Sequence, residues 1–555
     1  MIHRTMYDGG VAQSAIAYLL YLSFSIWYNI CGKKGVLQTQ TIIVSRKDVT
    51  MKTYDIIVVG TGGATIVADA AIAKGKKVAI IEKGKFGGTC LTRGCIPTKV
   101  MVTVADAVRE IEELPKIGVK VTPATIDWDI MSKRVWHKID ESKGVESYYD
   151  GFENVDVYRG AASFVRDKVI MVTMKDGTVT DELTAPIIVL GVGGHTKINT
   201  IPGLEEAGYM SSESLFGEKY PKAPFKRLIV MGGGPIGTEF AHVFAAAGTE
   251  VTLIQHNRRL LPKEDEEISA QIYKDITKLG IRVILNQEPE EVRVENGEKV
   301  VVIRDRATGE LQEVRGEEIL MASGIVPATE ELHLENTSIK TKRGGWIMTN
   351  EFLETSVDGV YALGDVNGEA PFRHKANYEA DILAHNLYHA SSPEDFRWAR
   401  YDLVPAVTFT YPQVGHVGLT EAEAIEKGYD VGTGKNFYSA SAKGFAMGFD
   451  PGDEHDGFVK IVVDKETNHI LGVHVIGPQA SILFQPFVNL LNSGDTPLQA
   501  INEEIGSALT KKLRAKGLVR KMDPHSVITV GETMTPHPTL SEIIMWTQVY
   551  YEHRW

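Results

Sequence analysis

The chain has 555 residues, 43% of them hydrophobic and 24% charged, and its 59 Lys+Arg against 72 Asp+Glu leave a formal net charge of −13. At about 150 residues per domain this length argues for three or four domains rather than one, and the acidic surplus argues against sequence-independent nucleic-acid binding. Three cysteines, Cys31, Cys90 and Cys95, are too few for a disulfide scaffold in a chain this long, so a pair among them points to chemistry.

Residues 9–32 carry no charge and contain an apolar run over 15–22, long enough with its flanks for one membrane-spanning helix. Gln13, Asn29 and several serines and glycines dilute it. Met51 leads directly into an apolar strand, as the start of a dinucleotide-binding domain does, so residues 1–50 are read as a leader or upstream translation outside the folded core. The alternative is a single-pass anchor, with Lys33 and Lys34 keeping the C-terminal bulk in the cytoplasm. A cytoplasmic enzyme is expected, with membrane attachment only if residues 1–50 form that anchor.

Residues 54–59 are apolar or aromatic apart from Asp55 and end in Gly60-Thr61-Gly62-Gly63; an Ala-rich helical stretch and a second apolar run over 78–81 follow. This is strand, tight turn, helix, strand. Gly60 and Gly62 let the backbone approach a pyrophosphate at the helix N-terminus, and Glu82 is placed to accept from a ribose hydroxyl. Thr65 occupies the third glycine position, which predicts looser helix–strand packing.

Residues 87–99 then read Gly-Gly-Thr-Cys-Leu-Thr-Arg-Gly-Cys-Ile-Pro-Thr-Lys. In a regular helix Cys90 and Cys95 would have Cα atoms roughly 8–9 Å apart, beyond reach of a disulfide. The helix must therefore be irregular, and Gly94 and Pro97 supply the irregularity. A thiolate near a helix N-terminus, with Arg93 and Lys99 close in sequence, has a lowered pKa and is a competent nucleophile.

The strand–turn–helix pattern recurs from residue 228, now with all three glycines, Gly232, Gly234 and Gly237. Two such units imply two dinucleotides. Glu239 joins these glycines as a cofactor-binding candidate. The next strand, 251–254, ends at Gln255 where an NAD-specific fold usually carries an acid, and His256, Arg258 and Arg259 follow, a pattern that favours NADPH over NADH. Further on, 458–463 and 470–475 read as a hairpin joined by 464–468, and 481–491 as an apolar helix at a dimer interface. Residues 511–521 hold six cations and no acid; they read as a solvated surface helix, or else as a docking site for an acidic partner.

Residues 87–99 resemble the redox-active segment of the FAD-dependent pyridine nucleotide-disulfide oxidoreductases, and the resemblance extends over about residues 51–545. Residues 355–365, ending in Asp365, resemble the family's second flavin motif; His374-Lys375-Ala376 resembles the segment after it. Residues 404–413 and 417–421 resemble the start of the dimerisation domain, and His537-Pro538-Thr539-Leu540-Ser541-Glu542 resembles the C-terminal motif. Ile325, Leu190-Gly191-Val192-Gly193 and Thr92-Arg93 depart from the family pattern.

The resemblance implies an α/β fold with two Rossmann-like domains and an α+β dimerisation domain. The boundaries are 51–200 with 328–398 for FAD, 201–327 for NAD(P), and 399–555 for dimerisation. It implies FAD and NAD(P)H as cofactors, with Gly60, Gly62, Glu82 and Asp365 on FAD. Cys95 would be the flavin-proximal sulfur, Cys90 the interchange thiol, Lys99 a neighbour of the flavin N5, and His537, oriented by Glu542, the base. In the family that base comes from the partner subunit, so a homodimer with a shared site is expected. No resident metal is expected. Substrate is a small-molecule or lipoyl-type disulfide or dithiol. The C-terminal motif points to a dihydrolipoamide dehydrogenase-like activity; residues 128–129, 156–159, 374–377 and 479–486, with Gln255, point to a mycothione reductase-like one. Mercuric reductases carry a C-terminal cysteine pair that is not in this sequence. A membrane-attached electron carrier with idle thiols is the reading from another class.

Overall fold

A computed structural model describes residues 51–552. The leader or anchor expected over 1–50 lies outside the described residues, and among those described no helix is long and apolar enough to cross a membrane.

The first glycine unit opens with β1 (Ile56–Val59), buried along its whole length. A continuous β-branched run suits a strand covered on both faces. Helix α1 (Thr65–Ala73) crosses over and β2 (Val78–Ile81) pairs parallel with β1, Ile56 opposite Val78. The cysteines follow on α2 (Gly88–Arg93) and α3 (Cys95–Glu113). Strands β3 (Val155–Tyr158) and β4 (Ile187–Leu190) add to the two sides of this sheet.

The second glycine unit then begins: β5 (Arg227–Met231), α4 (Pro235–Ala246), β6 (Glu250–Ile254), α5 (Glu266–Lys278), β7 (Arg282–Ile284) and, after a three-stranded antiparallel sheet, β8 (Glu318–Met321). Its sheet is parallel in the order β7-β6-β5-β8. Strand β9 (Val360–Ala362) returns to the first sheet beside β4, giving β9-β4-β1-β2-β3, and α6 (Arg373–Tyr388) follows it. The first unit is thus built from two separated pieces of chain, with the second unit between them.

An antiparallel sheet comes next: β10 (Ala406–Thr408), β11 (Gln413–Gly418), β12 (Val431–Phe437), β13 (Phe458–Asp464) and β14 (Ile470–Gly477), ordered β10-β11-β14-β13-β12. The expected hairpin is β13 and β14. The expected helix over 481–491 is two pieces, α7 (Ala480–Leu483) and α8 (Gln485–Leu491), with Pro486 opening the second. Proline has no N–H to continue the first helix.

The basic segment differs from a plain solvated helix. After β15 (Gly494–Pro497), it takes in the end of α9 (Ala508–Lys516) and most of β16 (Val519–Met522), which pairs with β15; α10 (Val527–Glu532) and α11 (Glu542–Glu552) follow. Leu513 is buried with Phe352 and Trp398. Arg514 forks onto the buried carboxylate of Glu351 at 2.6 and 2.7 Å. Arg520 pairs with Glu532, which also takes Arg397 at 2.9 Å. Two of the six cations therefore serve internal contacts with carboxylates and Lys516 pairs with Glu394 at the surface, while Lys511, Lys512 and Lys521 stay exposed. Bidentate arginine–carboxylate geometry is what makes such a contact hold.

Candidate functional site

Gly60 adopts φ +97°, and a Cβ there would stand 2.3 Å from the Gly191 carbonyl oxygen, so only glycine lets β1 turn this close to the end of β4. Glu82, at the end of β2, is buried; Thr61 donates to its Oε2 through N–H (2.9 Å) and Oγ1 (2.7 Å), and Gly84 N–H donates to Oε1 at 2.7 Å. The carboxylate fixes the turn and each oxygen keeps further acceptor capacity for a ribose hydroxyl. Thr65 does not loosen the helix as expected. Its hydroxyl donates to Gly62 O at 2.8 Å, and the tight approach falls instead at Gly63, where a Cβ would lie 3.0 Å from Ala376 O on α6.

Asp365 sits in the single 3-10 turn Gly364–Asn367. That turn is held by a fully buried pair on α6: Lys375 Nζ donates to Gly364 O (2.9 Å) and Asn367 Oδ1 (3.0 Å), while Glu379 accepts from Gly364 N–H and Asn367 Nδ2, both at 2.6 Å. Burial raises the Asp365 carboxyl above the usual range, with Lys375 opposing. Buried Arg93 Nε and Asn377 Oδ1 have no hydrogen-bond partner among the described residues. A glycine turn without room for a side chain, an acid at the next strand end and a desolvated second acid fit FAD.

The break between the cysteines is at Gly94, whose φ −141° and ψ −117° end α2 and restart the chain as α3. Pro97 does not cause it: it lies in the first turn of α3, where a missing N–H costs no helical bond. Gly88, at φ +67°, stands so close to the flavin-side turn that a Cβ would be 2.7 Å from Gly62 Cα. The thiol helix therefore starts in contact with the glycine turn. Cys95 has its pKa lowered to about 6, first by the hydrogen bond from Cys90, then by the positive fields of His537, Lys99 and Arg373, against the opposing effect of burial. Cys90 is pushed well above the ordinary thiol value by donating that bond and by burial. Arg373 thus acts on the thiols, a residue the sequence did not single out.

His537 Nε2 lies 3.0 Å from Cys90 Sγ, and its Nδ1 is 2.8 Å from Glu542 Oε1. An Nδ1–H donated to the carboxylate leaves the Nε2 lone pair facing the thiol. His374 positions the backbone: its Nε2 donates to Pro405 O at 2.8 Å and its Nδ1 accepts from His537 N–H at 3.2 Å. Burial lowers its pKa to about 4, so it stays neutral and keeps that acceptor. Lys99 Nζ is bound to Glu239 Oε2 at 2.6 Å and lies 4.0 Å over the Phe409 ring; Glu239 Oε1 accepts from Phe409 N–H at 2.9 Å. Glu239, expected at the nucleotide, is in this structure part of the layer that holds Lys99.

Within the one chain described, His537 and Cys90 are in contact. Segment 494–532 docks on Glu351, Phe352, Trp398 and Arg397 and leads into the His-Pro motif.

In the second unit Gly232 (φ +122°) and Gly237 allow the same close turn: a Cβ on either would fall within 2.2 Å of a carbonyl oxygen. Gly234 caps α4. Gln255 Oε1 accepts from Gly233 N–H at 3.0 Å, the same bond Glu82 makes with Thr61, and its Nε2 donates to Arg259 O at 3.2 Å. Gln255 keeps the loop bond of an acid and drops its charge. His256 pairs with Glu288 at 3.0 Å and Arg259 with Glu266 at 2.8 Å, while Arg258 is exposed.

A dithiol set against one dinucleotide turn, with a second dinucleotide unit beside it, defines a flavoprotein disulfide oxidoreductase. The chain belongs to the pyridine nucleotide-disulphide oxidoreductases: residues 54–380 match that family and residues 404–512 match its dimerisation domain, which supports a homodimer. Its cofactors are FAD and a pyridine nucleotide. It is 34% identical over 431 residues to a mercuric reductase of Staphylococcus aureus, covering 77% of this chain and 75% of that one. It is 31% identical to a dihydrolipoyl dehydrogenase of Bacillus subtilis strain 168 (88% and 96% covered) and 31% to a mycothione reductase of Mycobacterium tuberculosis (80% and 94%). Among solved structures, the fold matches the Cu(II) complex of the HOCl-induced flavoprotein disulfide reductase RclA of Escherichia coli, with a TM-score of 0.67 and 24% identity over 90% of this chain and 100% of that chain.

Proposed function

We propose that this chain catalyses dithiol–disulfide exchange of the dihydrolipoamide dehydrogenase type. The observation that carries the reading is the His537 Nε2 to Cys90 Sγ contact of 3.0 Å, backed by Glu542. FAD, when bound, passes electron pairs between the thiols and the pyridine nucleotide. His537 takes the proton of a substrate thiol, whose thiolate attacks Cys90 of the oxidised pair. The Cys90–Cys95 bond breaks, a mixed disulfide forms on Cys90, and Cys95 leaves as a thiolate, a role suited by its pKa of about 6. The second substrate thiol closes the product disulfide, its proton passing to the departing Cys90 sulfur, while His537 keeps the first proton beside the Cys95 thiolate. One disulfide is made and one dithiol is left on the protein, so electrons balance. Lys99, fixed by Glu239, is assigned to the flavin side of the pair.

An apolar wall beside the redox helix, formed by Ile96, Val100, Val104 and Pro538, suits the alkyl portion of a lipoyl group. A mycothione reductase-like reading rests on the second unit, where the uncharged Gln255 and exposed Arg258 suit the 2′-phosphate of NADPH. Steady-state assays with NADH and NADPH against lipoamide, glutathione disulfide and mycothiol disulfide separate them. Lipoamide turnover is the expected result; turnover confined to mycothiol disulfide with NADPH replaces the first reading by the second. A membrane electron carrier with idle thiols would show no new thiols after reduction by NAD(P)H.

A further inference from the structure

Away from the thiols, three side chains converge where the loop before α5 meets the antiparallel sheet. His416 on β11 and His474 on β14 stand directly opposite each other in register, on one face of that sheet. Their rings are stacked with centroids 5.7 Å apart. Glu264, in the loop preceding α5, reaches them from the second dinucleotide unit. One ring nitrogen of each histidine and a Glu264 carboxylate oxygen all lie within 4.8 Å of one another.

The hydrogen-bond inventory of these atoms is unusual. His474 is fully buried, and its Nε2 donates to Leu419 O at 3.0 Å. That bond fixes the tautomer and leaves Nδ1 with a lone pair, and this Nδ1 has no partner. His416 Nδ1 comes within 2.7 Å of Glu264 Oε2, yet both atoms are buried without an aligned hydrogen bond. Buried polar atoms in proteins are ordinarily satisfied, and an unpartnered imidazole nitrogen beside a close histidine–carboxylate pair has the donor set of a metal site. A histidine that gives its far N–H to a backbone carbonyl is the arrangement found behind metal-bound imidazoles. Two imidazole nitrogens and one carboxylate oxygen suit a divalent ion such as Zn²⁺, with bonds of about 2.0–2.2 Å and a fourth position for water.

Charge permits it. The neighbouring cation, Lys460, lies opposite His474 on β13. Its ammonium is already matched by Asp265 (2.9 Å), Glu421 (2.7 Å) and Glu267 (3.0 Å). Glu423 adds a further negative charge near His416.

We propose that Glu264, His416 and His474 bind one Zn²⁺-type ion that clasps the second dinucleotide unit to the antiparallel sheet. The site shares no residue with the thiol centre and does not depend on the substrate assigned to it. The test uses full-length, FAD-loaded protein, dialysed against EDTA with its thiols oxidised and titrated with Zn²⁺ alone. One zinc per chain is expected, with affinity reduced at least about tenfold in His416→Ala and in the isosteric Glu264→Gln. Binding should persist in a Cys90→Ser/Cys95→Ser variant, and zinc should raise the melting temperature of the wild type but not of Glu264→Gln. Flavin absorbance equal to wild type shows that each variant is folded; if His416→Ala fails this check, Glu264→Gln decides. Absence of stoichiometric zinc in the wild type, full affinity in Glu264→Gln, or loss of binding in the cysteine variant overturns the proposal.

Discussion

Each of the two thiols has its own chemical setting, and substitution should separate them. Cys90→Ser should abolish disulfide turnover, because the sulfur facing His537 is gone. Cys95 carries the lowered pKa of about 6, below the ordinary value of 9.0. A depressed acid is ionised above its folded pKa, so the thiolate ultraviolet absorbance of the reduced protein should persist as pH falls from 9 and disappear on passing through about 6. Cys95→Ser should remove that titration and Cys90→Ala, which deletes the donor, should shift it upward, since the bond from Cys90 is its largest cause. A thiolate signal that vanishes near pH 9 in the wild type would contradict the assignment. His537→Ala should lower kcat by about 10²–10⁴-fold, the usual worth of a positioned base, with flavin content unchanged by absorbance. Glu542→Gln, which keeps a hydrogen-bond acceptor but not the charge, should fall between.

At the scale of single elements, the turn carrying Asp365 depends on α6. Lys375 and Glu379, four residues apart on one helix face, form a buried pair that the 364–367 turn and the Tyr401 hydroxyl complete. Removing one partner of such a pair leaves an uncompensated buried charge and costs about 3–5 kcal/mol. Lys375→Met should therefore lower stability by that amount in urea unfolding and reduce bound flavin. Full flavin occupancy with unchanged stability would show that the turn holds without it. In the second unit, Gln255→Glu keeps the bond to Gly233 and adds a charge at the ribose. The NADPH-to-NADH ratio of kcat/KM should fall about tenfold or more, an effect of roughly 1.4 kcal/mol or above; an unchanged ratio would place the ribose elsewhere.

For the molecule as a whole, subunit exchange between Cys90→Ser and His537→Ala proteins is informative. With the expected shared site, mixing should restore up to a quarter of the activity; no recovery would show that the His537–Cys90 pair within one chain is the working one. The sequence made the local machinery legible: both glycine turns, the cysteine pair, the acid of the second flavin motif and the His-Glu spacing are all short-range patterns. What it left hidden depends on contacts between distant positions. Arg514 meets Glu351, His374 meets the backbone of His537, and Glu239 meets Lys99, and no periodicity announces such pairs. The basic run over 511–521 looked solvated because its composition is the same whether or not two of its arginines find carboxylates. Glu264, His416 and His474 were missed for the same reason: each lies in a different element.

Whether segment 494–532 leads His537 to its own thiols or to the partner's also decides how a damaged copy affects its neighbour. If catalysis needed residues from two subunits, a copy lacking both Cys90 and His537 would silence the intact copy paired with it, and activity in mixtures would fall with the square of the intact fraction. If the histidine instead serves its own chain, the defect stays in the copy that bears it. Activity in mixtures then declines in direct proportion, and an inactive allele expressed beside a sound one is recessive at the level of the dimer.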